Sequence, residues 1–82
     1  MKYKYAVQFC DNTIKIFEAE DEVELLFIIT GYYGICNDVY KISMRGCENL
    51  NEYMLITNTL LQYHNYQAIT KIYLIENIVW EI

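Results

Sequence analysis

Residues 21–34 read DEVELLFIITGYYG, an acidic start followed by an almost unbroken apolar run that ends at two glycines. Carboxylates at a first turn favour a helix because they complement its free N–H groups and the positive end of its dipole. Gly31 and Gly34 can end the helix because glycine readily adopts the left-handed conformation found at helix C-termini. We therefore predict the first helix here. A helix that is apolar on most sides must be buried on most sides or covered by a partner.

The segment before this helix predicts a β-hairpin, because two runs of alternating apolar and polar residues flank a short polar connection. A two-residue loop at residues 11–12 would place Phe9 opposite Ile14 and Val7 opposite Ile16. Apolar side chains would then share one face of the hairpin, and polar side chains the other. We expect this register, in which both isoleucines face the core.

The middle of the chain predicts a third strand and a second helix. Residues 38–45 alternate with period two, which is typical of a strand. Asn49 and Glu52 have the spacing of a capping box at the start of a helix. The helix that follows carries an apolar stripe as far as His64, where an imidazole can complement the last carbonyl groups.

Residues 68–75 predict a fourth strand, and residues 78–82 either end that strand or form a short fifth one. The predicted order is β-β-α-β-α-β within a single compact domain of residues 1–82. Helices of this length suit one layer on a small sheet. The sequence therefore predicts an α+β fold with two helices packed on one face of a four- to five-stranded, largely antiparallel or mixed sheet. The other sheet face would be open to water or to a partner.

The composition excludes several classes of protein. Hydrophobic residues make up 55% of the 82-residue chain, which excludes a disordered chain. The net charge of −5 is not that of a general nucleic-acid binder. No run approaches the ~20 apolar residues that span a bilayer, and no signal peptide is recognisable, so we expect no membrane association. Three separated cysteines indicate free thiols in a reducing cytoplasm, that of the host if a phage encodes the chain.

The alternation of the predicted strands places all the basic residues on the sheet face opposite the helices. Cations interleaved with aromatic rings on an open sheet suit phosphate contact and base stacking. Lysines are also ordinary residues of a solvated strand face, so two interpretations of this face stay open. Its candidate ligand contacts are Lys4, Lys15, Phe17, Lys41, Arg45, Lys71 and Tyr73.

The first helix and the C-terminal segment predict a protein interface. Apolar surface beyond what a small sheet can cover is typical of protein–protein contacts. The acidic run could contact a basic partner, or it could simply stabilise the helix start. The candidate interface residues are Glu20, Asp21, Glu22, Glu24, Leu25, Ile29, Tyr32 and Trp80.

Catalytic and metal-binding patterns are weak in this sequence. His64 is the single histidine, and no carboxylate pair or serine motif accompanies it; a pairing with a distant cysteine is the weaker alternative. Cys10, Cys36 and Cys47 with His64 match the ligand count of a zinc site, but their wide spacing argues against one. We therefore expect no catalytic residues, no cofactor and no metal.

We expect a non-catalytic protein-interaction module that binds a protein partner and self-associates as a homodimer. Small size, acidity and the lack of a catalytic pattern resemble those of small inhibitor proteins, although no motif ties the chain to a family. The expected role is that of an accessory or inhibitor protein of a bacterium or phage, including action against host defence. The alternative is nucleic-acid or nucleotide binding through the open, lysine-rich sheet face, and an enzyme ranks third.

Overall fold

A computed structural model describes all residues from Met1 to Ile82. Two strands are followed by three helices and two further strands. They are β1 (Tyr3–Phe9), β2 (Ile14–Ala19), α1 (Glu22–Tyr32), α2 (Asn37–Ser43), α3 (Leu50–Tyr63), β3 (Ile69–Leu74) and β4 (Asn77–Glu81). The four strands form one antiparallel sheet in the order β2-β1-β3-β4. The predicted α+β class is confirmed, whereas the observed order, β-β-α-α-α-β-β, differs from the predicted one.

The predicted third strand is wrong, because most of residues 38–45 lies in the helix α2. Tyr40 and Met44 are buried and stand four residues apart, which is helical spacing, whereas Ile42 is exposed. A short run with apolar residues at every second position also contains pairs four apart, so periodicity alone does not separate the two structures. Gly46, with a φ of 85°, turns the chain away after the helix.

The predicted register of the first hairpin is wrong by one residue. The Phe9 N–H donates to the Thr13 carbonyl at 2.9 Å, and Asn12 has a φ of 69°. The turn therefore has a three-residue loop whose last residue is left-handed, which adds one residue compared with the predicted loop. A shift of one residue moves every side chain of the returning strand to the opposite face. Ile14 and Ile16 consequently point away from the helices.

The three helices cover one face of the sheet and enclose the core with it. β1 is central and supplies three buried side chains to that face. Every element except β4 contributes to the buried hydrophobic set, which consists of Tyr5, Val7, Phe9, Ala19, Leu25, Leu26, Ile29, Ile35, Tyr40, Met44, Met54, Leu61, Ile69 and Ile72.

α1 is buried on most sides because it packs against β2, α2 and α3. The Tyr40 ring of α2 contacts Phe27 with 5.4 Å between ring centroids, and its hydroxyl donates to the Val23 carbonyl at 3.4 Å. Leu25 and Ile29 are completely buried, so the expectation that they lie in an exposed interface is wrong. Their side of α1 also carries Glu22, which bonds to Tyr5 of β1, and Tyr32, which packs on Phe17 of β2, so it faces the sheet of the same chain.

α3 confirms its predicted start and connects the helical layer to the sheet. Asn49 accepts a hydrogen bond from the Glu52 N–H at 3.0 Å and donates to the Glu52 carboxylate at 2.8 Å. Asn58 forms two hydrogen bonds with the backbone of Ile69 in β3, at 2.8 and 3.1 Å. One amide side chain thus satisfies both polar groups of a buried strand residue. The hydroxyl of Thr57, one residue earlier, is buried without a hydrogen-bond partner.

β3 and β4 form a second hairpin that is less regular than the first. Its connection places Ile75 at a φ of 59°, although β-branched residues rarely adopt positive φ. The pairing of β3 with β4 is irregular after Ile72: Ile72 pairs with Trp80, but the next residue, Tyr73, pairs with Ile78. Val79 is therefore an extra residue that bends the outer strand.

Replacing Ile75 with glycine is expected to stabilise the fold. An L-residue in the left-handed region costs about 1–2 kcal/mol, and glycine avoids this cost. Part of the gain is offset because glycine loses more backbone entropy on folding. The side chain is 86% exposed, so little packing is lost. The net gain should be roughly 1 kcal/mol in urea unfolding. Ile78→Gly, at an exposed strand position without positive φ, is the control and should lower stability. Equal losses in both variants would contradict the assigned strain.

Thr57→Val should raise the free energy of unfolding by about 1 kcal/mol. The substitution keeps the volume of the side chain and removes a buried hydroxyl that has no partner. Thr59→Val is the matched control, because the Thr59 hydroxyl is exposed and already donates to the Leu55 carbonyl at 2.8 Å. A loss of stability in Thr57→Val by chemical denaturation would show that the hydroxyl is satisfied in solution.

Candidate interaction site

β2 is the outermost strand of the sheet on the α1 side, and its outer edge is unpaired. In an antiparallel ladder, hydrogen-bonded and non-hydrogen-bonded residue pairs alternate. Phe9 and Thr13 are hydrogen-bonded, so the Val7–Lys15 pair is hydrogen-bonded as well. The intervening residues of β2 therefore point their N–H and C=O groups outward. These residues are Ile14, Ile16 and Glu18.

The same residues expose apolar side chains along this edge. Ile14 is 56% exposed and Ile16 is 61% exposed, both on the sheet face away from the helices. On the helical side, the Phe17 ring packs edge-on against Tyr32 with 5.5 Å between centroids. The Lys15 ammonium lies 5.6 Å from the centroid of the same tyrosine ring. The edge thus carries apolar or aromatic groups on both faces.

β2 has few of the features that prevent an edge strand from pairing. It contains no proline, and its register with β1 is continuous over all six residues. Lys15 is its one cation, and this side chain lies beside Tyr32. β4, at the opposite edge, is shorter and is bent by the extra residue Val79. Short and bulged edges resist pairing, so β2 is the more exposed template.

The rest of the open sheet face is polar and internally matched. Lys4 lies opposite Glu18 in the strand register, and Lys71 forms an ion pair with Glu81 at 3.8 Å. The Tyr73 hydroxyl, also on this face, donates to the Gln8 side chain at 3.4 Å. Exposed apolar side chains of this face are therefore concentrated on β2, with Ile78 on β4 as a smaller second position.

The predicted lysine-rich face is not assembled. Lys41 lies in α2 and Arg45 follows that helix, so neither belongs to the sheet. Lys15 and Phe17 lie on the helical side because of the register shift. Lys4, Lys71 and Tyr73 keep the predicted face, but each of the two lysines has an acidic residue opposite it.

The acidic residues at the start of α1 are largely engaged within the chain. Asp21 caps the helix by accepting from the Glu24 N–H at 2.8 Å. Glu22 accepts a hydrogen bond from the Tyr5 hydroxyl at 3.0 Å. Glu24 lies 3.7 Å from the Lys2 ammonium and accepts from the Glu20 N–H at 3.0 Å. These contacts account for the acidic run as a means of holding the helix start against β1.

Tyr32 and Trp80, the two aromatic candidates, lie at opposite edges of the sheet. Tyr32 is exposed beside β2. Trp80 is half-buried on β4 and donates from its indole nitrogen to the Asn51 side chain at 2.9 Å. They do not form one surface. Of the predicted interface residues, Tyr32 is the one that lies against the β2 edge.

Sequence reasoning missed Ile14 and Ile16 as exposed residues, although a signal was present. Asp11 accepts hydrogen bonds from both the N–H and the hydroxyl of Thr13, which lower the pKa of the Asp11 carboxyl. Asp-x-Thr in a turn, with asparagine between them, favours a loop that ends in a left-handed residue. That turn chemistry competes with the two-residue loop that the apolar pattern favoured.

Several clefts indent the surface, and one of them has aromatic residues in its wall. A cleft of ≈260 Å³ lies between the first turn and the connection from α3 to β3, with Tyr33 and Tyr66 in its wall. Their rings are 4.6 Å apart, and burial raises the pKa of the Tyr33 hydroxyl.

The His64 ring nitrogen Nδ1 lies 2.8 Å from the Leu60 carbonyl, in the predicted capping position.

All three cysteines, Cys10, Cys36 and Cys47, are free thiols. Cys10 is exposed and its thiol donates to the Gln67 side chain at 2.7 Å, whereas Cys47 is partly buried. No group of three or more His, Cys, Asp or Glu side chains has an arrangement that could hold a metal ion.

Comparison of the chain with protein-family models, with curated protein sequences and with solved structures finds no match. None of the three helices combines the length and the apolar character needed to cross a membrane.

The buried tyrosines predict a loss of stability at alkaline pH. Burial and the hydrogen bond to Glu22 raise the pKa of Tyr5 to about 12, and burial raises that of Tyr40 to about 12. In the unfolded chain both should titrate near about 10. The neutral phenols therefore stabilise the fold fully below about pH 10, and this contribution is lost as the pH rises towards about 12.

Urea unfolding measured from pH 8 to 12 tests this assignment. Tyr5→Phe should lower stability at neutral pH, because a hydrogen bond is lost, but should show a shallower decline above about pH 10. Tyr63→Phe, at an exposed position, is the control and should follow the wild type. A decline in Tyr5→Phe as steep as that of the wild type would contradict a raised pKa for this residue.

Proposed function

We propose that this chain is a non-catalytic protein-interaction module that self-associates through the outer edge of β2. The observation that carries the proposal is the exposure of Ile14 and Ile16 on an edge strand whose backbone groups are unpaired. Such an edge is a template for another strand, because a partner strand satisfies its N–H and C=O groups and covers its side chains. A second copy of the same chain supplies such a strand.

The balance of free energies favours a weak, reversible dimer. Each net backbone hydrogen bond contributes about 0.5–1.5 kcal/mol. Covering an exposed isoleucine fully would contribute roughly 1.5–3 kcal/mol. Association costs about 4–15 kcal/mol in lost freedom, so a few strand hydrogen bonds and two isoleucines per copy leave only a small surplus. The dimer should therefore depend on concentration and dissociate on dilution.

The edge also supports the finer proposal of an accessory or inhibitor role. A strand that can pair with its own copy can pair with an exposed strand of another protein, which is a common mode of peptide and protein recognition. The acidic residues that follow β2 give this end of the edge a negative charge that favours a basic partner. Dimer formation would then compete with binding of that partner, since both use β2.

Nucleic-acid binding has less support than self-association. The basic residues are dispersed over the sheet, α2 and the helical side, and the two lysines that remain on the open face lie opposite acids. A net charge of −5 repels a polyanion unless a local basic patch offsets it. No such patch is assembled on the open sheet face.

Ile16→Lys should abolish self-association while leaving the fold intact. The substitution introduces a charge at the middle of the unpaired edge, where a partner strand would have to bury it. Ile16 is mostly exposed, so monomer stability should change by no more than about 0.5 kcal/mol. Light-scattering mass over a wide concentration range, with circular dichroism as the folding check, measures both effects.

Ile78→Lys is the matched control, because Ile78 is 48% exposed on the same sheet face but lies on β4. This variant should dimerise as the wild type does. Loss of the dimer in both variants would indicate packing of the open faces against each other. A wild type that stays monomeric at millimolar concentration would overturn the proposal.

A further inference from the structure

Self-association through the edge of β2 has a restricted geometry. Two copies that extend one sheet are related by a two-fold axis perpendicular to it, and their outer strands run antiparallel. Such an axis keeps each face of the sheet on its own side. Residues that lie opposite one another across the new pairing must therefore share a face. For β2, the axis can pass through Lys15, Ile16 or Phe17, the residues near the centre of the strand.

An axis at Lys15 places two like charges opposite each other. This lysine lies in a non-hydrogen-bonded position of the new ladder, where opposed Cα atoms approach to about 4.5 Å. Like charges at such a position are destabilising. The pairing would also be short, because the residue opposite Glu18 would be Asn12, which has the left-handed conformation of the turn.

An axis at Phe17 separates the two isoleucines from each other. Ile16 would lie opposite Glu18, and Ile14 would lie opposite Glu20, which is beyond the end of the strand. Each apolar side chain would then face a carboxylate, and no isoleucine would contact an isoleucine. This register uses the unpaired backbone groups of the edge but leaves its apolar surface poorly covered.

We infer that two copies of this chain pair along β2 about a two-fold axis at Ile16, an inference that rests on the proposed self-association. Ile16 then lies opposite Ile16 of the second copy in a hydrogen-bonded pair, and Ile14 lies opposite Glu18. All the outward backbone groups of the strand find partners. On the helical side, Lys15 lies opposite Phe17 of the second copy, where the ammonium can contact the aromatic ring.

This register has a structural consequence for the whole assembly. The two sheets join into one, and because the axis is perpendicular to the sheet, both sets of helices lie on the same side. Tyr32 of each copy, which already contacts Phe17 and Lys15, then flanks the new strand pair. Aromatic rings from both copies thus cover the helical side of the joint, while the isoleucines form a small apolar strip on the open side.

Single-cysteine cross-linking identifies the register. The background carries Cys10→Ser, Cys36→Ser and Cys47→Ala, and the cysteine is placed in turn at Ile14, Ile16 or Phe17, so that Lys15 is kept in every variant. In a hydrogen-bonded antiparallel pair, opposed Cα atoms are about 5.5 Å apart, which lies within the range for a disulfide. After mild oxidation, Ile16→Cys should form a disulfide-linked dimer, and Ile14→Cys and Phe17→Cys should each stay without an intermolecular disulfide. Circular dichroism before oxidation checks each fold.

A second arm uses two variants that should cross-link only when mixed. Ile14→Cys and Glu18→Cys lie opposite each other in this register, so the mixture should give a disulfide-linked heterodimer and neither variant alone should give a dimer. Predominant cross-linking between Ile14→Cys and Ile16→Cys, which lie opposite each other about an axis at Lys15, or of Phe17→Cys alone, would overturn the register while the proposed self-association stands. A light-scattering mass equal to that of one chain at every concentration, together with no cross-link in any variant, would overturn both the register and the proposed self-association.

Discussion

The left-handed conformation of Asn12 fixes which face of the sheet each residue of β2 occupies. Its φ of 69° adds one residue to the turn between β1 and β2, and strand side chains alternate with period two, so the addition reverses the whole strand. Phe17 and Lys15 move to the helical side, where they meet Tyr32. Ile14 and Ile16 move to the open face. The exposed apolar edge is therefore a consequence of turn chemistry and not of composition.

The helical layer buries much of the apolar content of this small chain. A chain of 82 residues has little interior, and an apolar helix such as α1 needs cover on more than one side. α2 provides that cover through Tyr40, and α3 closes the core through Met54 and Leu61. Asn58 then ties α3 to β3 through two backbone hydrogen bonds. On the open face of the sheet, the exposed apolar side chains are concentrated on β2, with Ile78 on β4 as a second position.

Elements with strong local signals could be predicted from the sequence. The core face of β1, the acidic start of α1, the capping box of α3 and the strand of residues 69–74 follow from periodicity and capping chemistry. Of the two glycines predicted to end α1, Gly31 lies inside the helix and Gly34, with a φ of 79°, follows it. α2 could not be assigned, because a run of that length fits both periods and its helical state depends on contacts of Tyr40 with α1. The burial of Leu25 and Ile29 could not be predicted either, because the local pattern of α1 does not show that β2, α2 and α3 cover it on several sides.

The candidate site depended on a choice between two signals that disagree. The apolar pattern of residues 13–17 favours isoleucines in the core, whereas Asp11, Asn12 and Thr13 favour the longer turn. Turn geometry prevails because the lost burial of two isoleucines at an edge is partly offset by Phe17 packing on Tyr32. The predicted basic face is wrong for two reasons. The longer turn moves Lys15 to the helical side, and Lys41 lies in α2 instead of a strand.

In the proposed dimer, the unpaired edge of β2 is where this chain contacts a second copy of itself. Amide hydrogen exchange, resolved by residue and followed as a function of protein concentration, tests it most directly. The N–H groups of Ile14, Ile16 and Glu18 should exchange rapidly in dilute protein and become protected at high concentration, while those of Lys15 and Phe17 stay protected throughout. Rapid exchange of the three outward amides at every concentration, or concentration-dependent protection confined to β4, would contradict the account.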